Sequence, residues 1–129
     1  MAIIALDHMQ MAMPIGEENR ARQFYCGILG MIEVPKPAPM AARGGVWFRA
    51  GSVNLHMGVQ LDFIPAKKAH PAFIVNNFAA LIASLTSANY PVKQDFELEK
   101  VNRLFTQDCF GNRIEIIEGN SPKFAKAIP

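Results

Sequence analysis

This sequence is poor in the features that mark a secreted scaffold, a membrane segment or a nucleic-acid binder. Of its 129 residues only Cys26 and Cys109 are cysteine, and they stand far apart with no CxxC spacing. Neither a disulfide framework nor a thiolate zinc site is indicated. Charge of one sign is also scarce: the formal net charge is +2, and the only basic pair that stands out is Lys67 and Lys68. A nucleic-acid partner is therefore not expected. No apolar run reaches the roughly 20 residues of a membrane span. The opening "MAIIALDHMQMAM" lacks the basic start and small-residue cleavage site of a signal peptide, which leads us to expect a soluble, cytoplasmic protein. What is present in quantity is hydrophobic side chain, 50% of the residues. That suffices for one compact domain, or for two half-size modules sharing a core.

The order of elements repeats. "ALDHMQMAM" alternates, with His8, Gln10 and Ala12 on one face and Met9, Met11 and Met13 on the other, as a half-buried strand does. After the turn "PIG", the stretch "EENRARQFYCGILG" carries Ala21, Phe24, Tyr25, Ile28 and Leu29 at helical spacing, acids in its first turn, and Gly30 where a helix would end. A short run "MIEV" and a proline-rich connection "PKPAPMAARGG" lead to "VWFRA" and "VNLHMGV", joined by "GS" as in a tight hairpin. The second half follows the same course. "HPAFIV" reads as a strand, "NNFAALIASLTSAN" as a helix through Phe78, Leu81, Ile82 and Leu85, and "VKQDF", "VNRLFTQD" and "RIEIIE" as strands, with "CFGN" as the last turn. The expected fold class is α+β. Two tandem βαβββ modules, at about residues 3–59 and 69–118 of a single domain spanning 1–129, would form a cup-shaped mixed β-sheet with helices outside. The stretch "QLDFIPAKKA" reads as the linker between them.

A duplicated module relates its polar residues in pairs. Aligning the first strands matches His8 to His70; aligning the last strands through Leu55 and Ile114 matches His56 to Glu115. All three histidines of the chain fall in this set. Alternation sets each member opposite its strand's larger apolar neighbours. Imidazole nitrogens and a carboxylate oxygen together suit a divalent metal such as Zn, Ni, Mn or Fe. With open coordination positions, such a site could act as a Lewis acid on a bound oxygen.

The doubled βαβββ order, "LDHMQMAM", "RARQFYCGILG", "HPAFIV" and "DCFGNRIEIIE" resemble the vicinal oxygen chelate superfamily, which includes glyoxalase I, extradiol dioxygenases, and fosfomycin- and bleomycin-resistance proteins. The resemblance runs from about Ile4 to Glu118. It implies metal ligands at His8, His70 and Glu115, with a fourth at His56, or at Asn54 if the register slips by two. His56 and Glu115 are the candidate catalytic groups. The family's metal enzymes bind vicinal oxygens of a small oxygen-rich substrate, as lyases, isomerases, dioxygenases or antibiotic-modifying thiol transferases. Its bleomycin-resistance members sequester a ligand without a metal, so a non-catalytic binding protein is the alternative. Two positions depart from the pattern: Cys109 stands where relatives often carry proline, and His56 stands where glyoxalase I and its epimerase relatives have a carboxylate or amide. The family habit also implies a homodimer.

Four further residues are candidates for substrate contact. Trp47 and Phe48 are adjacent on a strand, so one faces the cup and the other the helices, with Phe48 expected in the cavity. Arg49 and Arg103 lie on equivalent strands and could bind a carboxylate or phosphate. Alternatively, one is solvated and the other pairs with an acid at the sheet edge.

Overall fold

The computed structural model describes residues 2–124. The chain divides between Pro65 and Ala66 into two compact units, and the division falls inside the stretch that reads as a linker. Among the described residues no helix is long and apolar enough to cross a membrane.

The first unit runs β1 (Met9–Met13), α1 (Glu18–Tyr25), β2 (Ile32–Val34), α2 (Ala38–Ala41), β3 (Val46–Ala50) and β4 (Val53–Val59). Its sheet has the order β1-β4-β3-β2. β1 and β4 are parallel, and the β2/β3 and β3/β4 pairs are antiparallel. Period-two alternation sorts the side chains: Met11, Met13, Val46, Phe48, Leu55 and Met57 are buried. Gln10, Trp47, Arg49, Asn54 and His56 occupy the alternate positions and stay wholly or partly exposed. Helix α1 contributes buried Ala21, Phe24 and Tyr25, and the Tyr25 ring stacks on Phe48 with centroids 5.4 Å apart. Burying side chains of this size stabilises by about 1.5–3 kcal/mol each, so this face is the unit's core. The helix start is tied to the sheet by Glu18 Oε2, which accepts the Gly45 N–H at 2.9 Å. Gly45 has to be glycine: its φ is +84°, and a Cβ there would stand 2.3 Å from the Met57 carbonyl oxygen.

The proline-rich connection contains the single turn α2. Pro37, at φ −55°, precedes the turn and a second proline occupies its start. At that position the missing N–H costs nothing and the fixed φ is already helical.

The second unit runs β5 (Ala72–Val75), α3 (Phe78–Ser87), β6 (Lys93–Asp95), β7 (Arg103–Gln107) and β8 (Arg113–Glu118), then a 3₁₀ turn at Pro122–Phe124. Its order, β5-β8-β7-β6 with β5 and β8 parallel, reproduces that of the first sheet. Leu104, Ile114 and Ile116 of the sheet and Leu85 of α3 are fully buried. The "DCFGN" turn holds itself: Asp108 Oδ1 accepts the N–H groups of Phe110 at 2.8 Å and Asn112 at 2.9 Å. The Asn112 amide donates to Asp108 Oδ2 at 3.0 Å. The two units also end their long helices alike. Met31 N–H donates to the Tyr25 carbonyl and Tyr90 N–H to the Leu85 carbonyl, both at 2.9 Å. Left-handed Gly30 (φ 74°) and Asn89 (φ 64°) make these reversals. The result is the tandem βαβββ arrangement of two four-stranded mixed sheets.

Candidate functional site

Strand registers fix which residues of the two units correspond. Gln10 of β1 pairs with His56 of β4, and Ala72 of β5 pairs with Glu115 of β8. Gln10 follows His8 by two positions and Ala72 follows His70 by two. His8 thus corresponds to His70 and His56 to Glu115, as the repeat alignment has it. The third strand adds a feature: Trp47 lies opposite His56 and Phe105 opposite Glu115. Each unit therefore presents a histidine, an aromatic ring and a second polar group on one sheet face.

In the second unit these groups form a connected polar cluster. His70 Nδ1 stands 2.7 Å from the Lys68 carbonyl oxygen. A carbonyl can only accept, so Nδ1 carries a proton. The other ring nitrogen, Nε2, lies 3.1 Å from Glu115 Oε1. In the neutral ring Nε2 is a bare lone pair, so two acceptors face each other. At that spacing they must share either a second proton or a cation. For metal bonds of about 2.1 Å, two ligand atoms on one ion at right to tetrahedral angles lie roughly 3.0–3.4 Å apart. The spacing of this pair therefore fits one divalent ion, and the Nδ1–H donated to a backbone carbonyl is the usual way a ligating histidine is oriented.

Arg103 secures the other carboxylate oxygen. One of its terminal nitrogens donates to Glu115 Oε2 and the other to Asp95 Oδ1, each at 3.2 Å. Its Nε has no hydrogen-bond partner. Phe105 lies beneath both the Arg103 and Arg113 guanidinium groups, at 5.2 and 4.2 Å from the ring centroid. Of the two arginines proposed for substrate contact, Arg103 is thus engaged with acids of its own sheet, Asp95 being on edge strand β6. Arg49 is exposed.

In the first unit three rings form a column. Trp47 stacks on His56 at 3.7 Å with planes 1° apart, and His56 stacks on His8 at 4.1 Å and 19°. His8 Nδ1 is 2.9 Å from Asp7 Oδ2. Burial lowers the His56 pKa below its ordinary value and the charge of His8 acts in the same sense; Asp7 opposes them, and Lys36 adds the smallest lowering effect. The ring is therefore neutral near neutral pH. Nearly parallel planes aim the in-plane lone pairs of His8 and His56 alongside one another, not at a common point. Beside this column opens a cavity of about 800 Å³ lined by Trp47, His8, His56, Val34, Met40 and, among others, Lys36, Arg43 and Arg49.

Phe48 does not face this cavity. It is fully buried on the opposite face against Tyr25, and Trp47 takes the position expected of it. Directly paired residues point to the same face, and the β3/β4 register pairs His56 with Trp47. Alternation counted across the "GS" turn had left that phase open. Asn54, the alternative to His56, is paired with Arg49 and donates to the Asp7 carbonyl at 3.4 Å.

The structure thus brings the four proposed ligands together as two pairs, one in each unit. Within either unit, among the described residues, no three His, Cys, Asp or Glu side chains are gathered so as to hold a metal ion. Asp7, Lys36, Arg43 and Asp95 were not singled out from the sequence. Asp7 had a signal, being adjacent to His8. Asp95 had none, because its place beside Arg103 comes from the β6/β7 pairing.

No family model and no curated protein matches this sequence. Solved structures do match. A protein assigned to the glyoxalase family from Bacillus anthracis is 43% identical, with a TM-score of 0.85 over 90% of this chain and 95% of that one. The fosfomycin resistance protein FosX from Mesorhizobium loti is 15% identical, with a TM-score of 0.69, covering 94% of this chain and 97% of its own. TnmS3, an antibiotic binding protein from Streptomyces sp., is 16% identical, with a TM-score of 0.67, covering 92% and 98%. These last two share the fold.

Proposed function

This chain belongs to the glyoxalase family of the vicinal oxygen chelate superfamily, and from that premise we propose that it is a metal-dependent enzyme acting on a small oxygen-rich substrate. His70 and Glu115 of the second unit are the ligands proposed. The observation that supports this most directly is the pair of facing acceptors, His70 Nε2 and Glu115 Oε1, at 3.1 Å. A divalent ion such as Zn, Ni, Mn or Fe, when bound, supplies Lewis acidity to an oxygen of the substrate. The protein's own part is to hold the ligands and to move a proton. Lys68 fixes the His70 ring, and Arg103 fixes the Glu115 carboxylate. His56, its plane nearly parallel to that of His8 so that the two rings do not aim at one ion, is assigned the proton-transfer role in place of a fourth ligand. Whether the reaction is a lyase, isomerase, dioxygenase or thiol-transfer step is set by the substrate side chains of the site.

The test is metal content. Protein purified without chelator, or loaded with Zn, Ni, Mn or Fe, should hold stoichiometric metal, and Glu115→Gln and His70→Ala should lose it. Absence of metal under every loading condition would sink the proposal. One observation favours a second reading, a ligand-sequestering protein: the large Trp47-lined cavity. Ligand binding indifferent to chelator, in a protein that takes up no metal, would select it.

We also propose a homodimer. Strands β1 and β2 of one sheet and β5 and β6 of the other are edges, and Ile3, Ile4 and Leu6 before β1 are more than four-fifths exposed. Light scattering should give twice the chain mass of 14.2 kDa; a monomer at micromolar concentration overturns this.

A further inference from the structure

The cavity of the first unit is lined by cations to which the metal site gives no task, Arg49 among them. Lys36, Arg43 and Arg49 line it, and Asp7 is the only acid among the lining residues. The Asp7 carboxylate is taken by His8 at 2.9 Å. Lys36 Nζ donates to the Gly44 carbonyl, which leaves its charge uncompensated. The guanidinium groups of Arg43 and Arg49 make no hydrogen bond or ion pair among the described residues, and both residues are exposed. An excess of two positive charges over one cavity is a field that selects anions.

The rest of the lining is apolar. Val34, Pro35, Met40 and Trp47 contribute to it. His56, covered on one face by Trp47 and on the other by His8, can offer the cavity only its rim. The rim of a neutral imidazole carries one N–H donor and one lone pair, so His56 can give a ligand one hydrogen bond and adds no charge of its own. A volume of about 800 Å³ is that of a small-molecule site, in which apolar walls bury the body of a ligand and a few polar groups fix its orientation.

We propose that this cavity binds an organic anion, a carboxylate or phosphate group carried on an apolar body, with Arg43 and Arg49 holding the charge and Trp47 with Val34, Pro35 and Met40 packing the body. The inference rests on the reading of this sheet face as the substrate face and gives that substrate its class. It does not require the anion to touch a metal.

Trp47 is the chain's single tryptophan, so intrinsic fluorescence reports on this cavity alone. The probes are benzoate, its neutral isostere benzamide, and inorganic phosphate. Benzoate should change Trp47 emission saturably. Benzamide and phosphate should each bind at least tenfold more weakly, the first lacking the charge and the second the apolar body. The Arg43→Gln/Arg49→Gln double variant should weaken benzoate at least tenfold and flatten its salt dependence. Both side chains are exposed and without partners, so an unchanged unfolding midpoint should confirm that the variant folds. Benzamide or phosphate binding as tightly as benzoate, or an indifferent double variant, overturns the proposal.

The same titration on chelator-treated, metal-loaded and Glu115→Gln protein separates this inference from the metal reading. Equal benzoate affinity in all three supports an anion site built from the first unit's own cations, even if no metal is ever taken up. Binding that appears only with metal and vanishes in Glu115→Gln overturns it while leaving the metal reading standing.

Discussion

The imidazole Nε2 of His70 stands 3.1 Å from Glu115 Oε1, although the residues are 45 positions apart in the chain. The contact is made by the parallel β5/β8 pairing, which sets Ala72 opposite Glu115 and so carries the start of β5 alongside the middle of β8. The side chains of Glu115, Arg103 and Asp95 are each less than a fifth exposed. In such a position charges keep much of their interaction, and a group deprived of its partner is costly.

Arg103→Leu removes the one cation between two carboxylates. We expect a loss of about 1–2 kcal/mol, the cost of leaving the part-buried Glu115 oxygen without its donor. The double variant with Glu115→Leu should recover part of it, since Asp95 is then the one acid of the two left facing Leu. Urea unfolding of the single and double variants gives the coupling; additive losses would mean that the two groups do not interact.

Asp95 predicts a pH dependence. Its carboxyl is held below its ordinary value, first by the Glu97 N–H and also by Arg103. A lowered folded-state value means that the ionised form adds stability above the unfolded value, near about 3.9, and that this stability disappears as pH falls through the folded value. Asp95→Asn should therefore unfold at a lower temperature than the parent at neutral pH, and the two should converge at strongly acid pH. A constant difference across the range would show that the carboxylate's charge is not what matters.

Phe48→Ala opens a hole in a core where Phe48 is fully buried against Tyr25. A destabilisation of about 3–5 kcal/mol is expected for deleting a buried aromatic ring. Trp47→Ala, on the cavity side, should cost markedly less stability. Denaturant titration of the pair followed by circular dichroism decides it, and a reversed order would mean that the faces are assigned wrongly.

Cys26 should be a sluggish nucleophile. Its thiol pKa is raised, chiefly by burial and also by the charge of Glu33, so little thiolate is present near neutral pH. Iodoacetamide labelling located by peptide mass mapping should modify Cys26 slowly in native protein and quickly in urea. Rapid native labelling would contradict the assignment.

The order of elements was legible in the sequence because its signals are local. Hydrophobic period, turn glycines and helix ends depend on neighbours within a few residues, and β3 and β4 begin and end where "VWFRA" and "VNLHMGV" do. The repeat was legible for the same reason, and with it the correspondence of His8 with His70 and His56 with Glu115. What the sequence could not carry was strand phase and pairing. A hairpin turn leaves open which of Trp47 and Phe48 shares a face with His56; only the cross-strand hydrogen bonds settle it. The acid that engages Arg103 sits on a different strand with no periodic mark, and the stacking of His56 between Trp47 and His8 needs three strands side by side. Local chemistry therefore determined the fold and named the candidate ligands. Their grouping into a His70–Glu115 pair and an aromatic column beside a cationic cavity came from backbone pairing between distant segments, which no short stretch of sequence encodes.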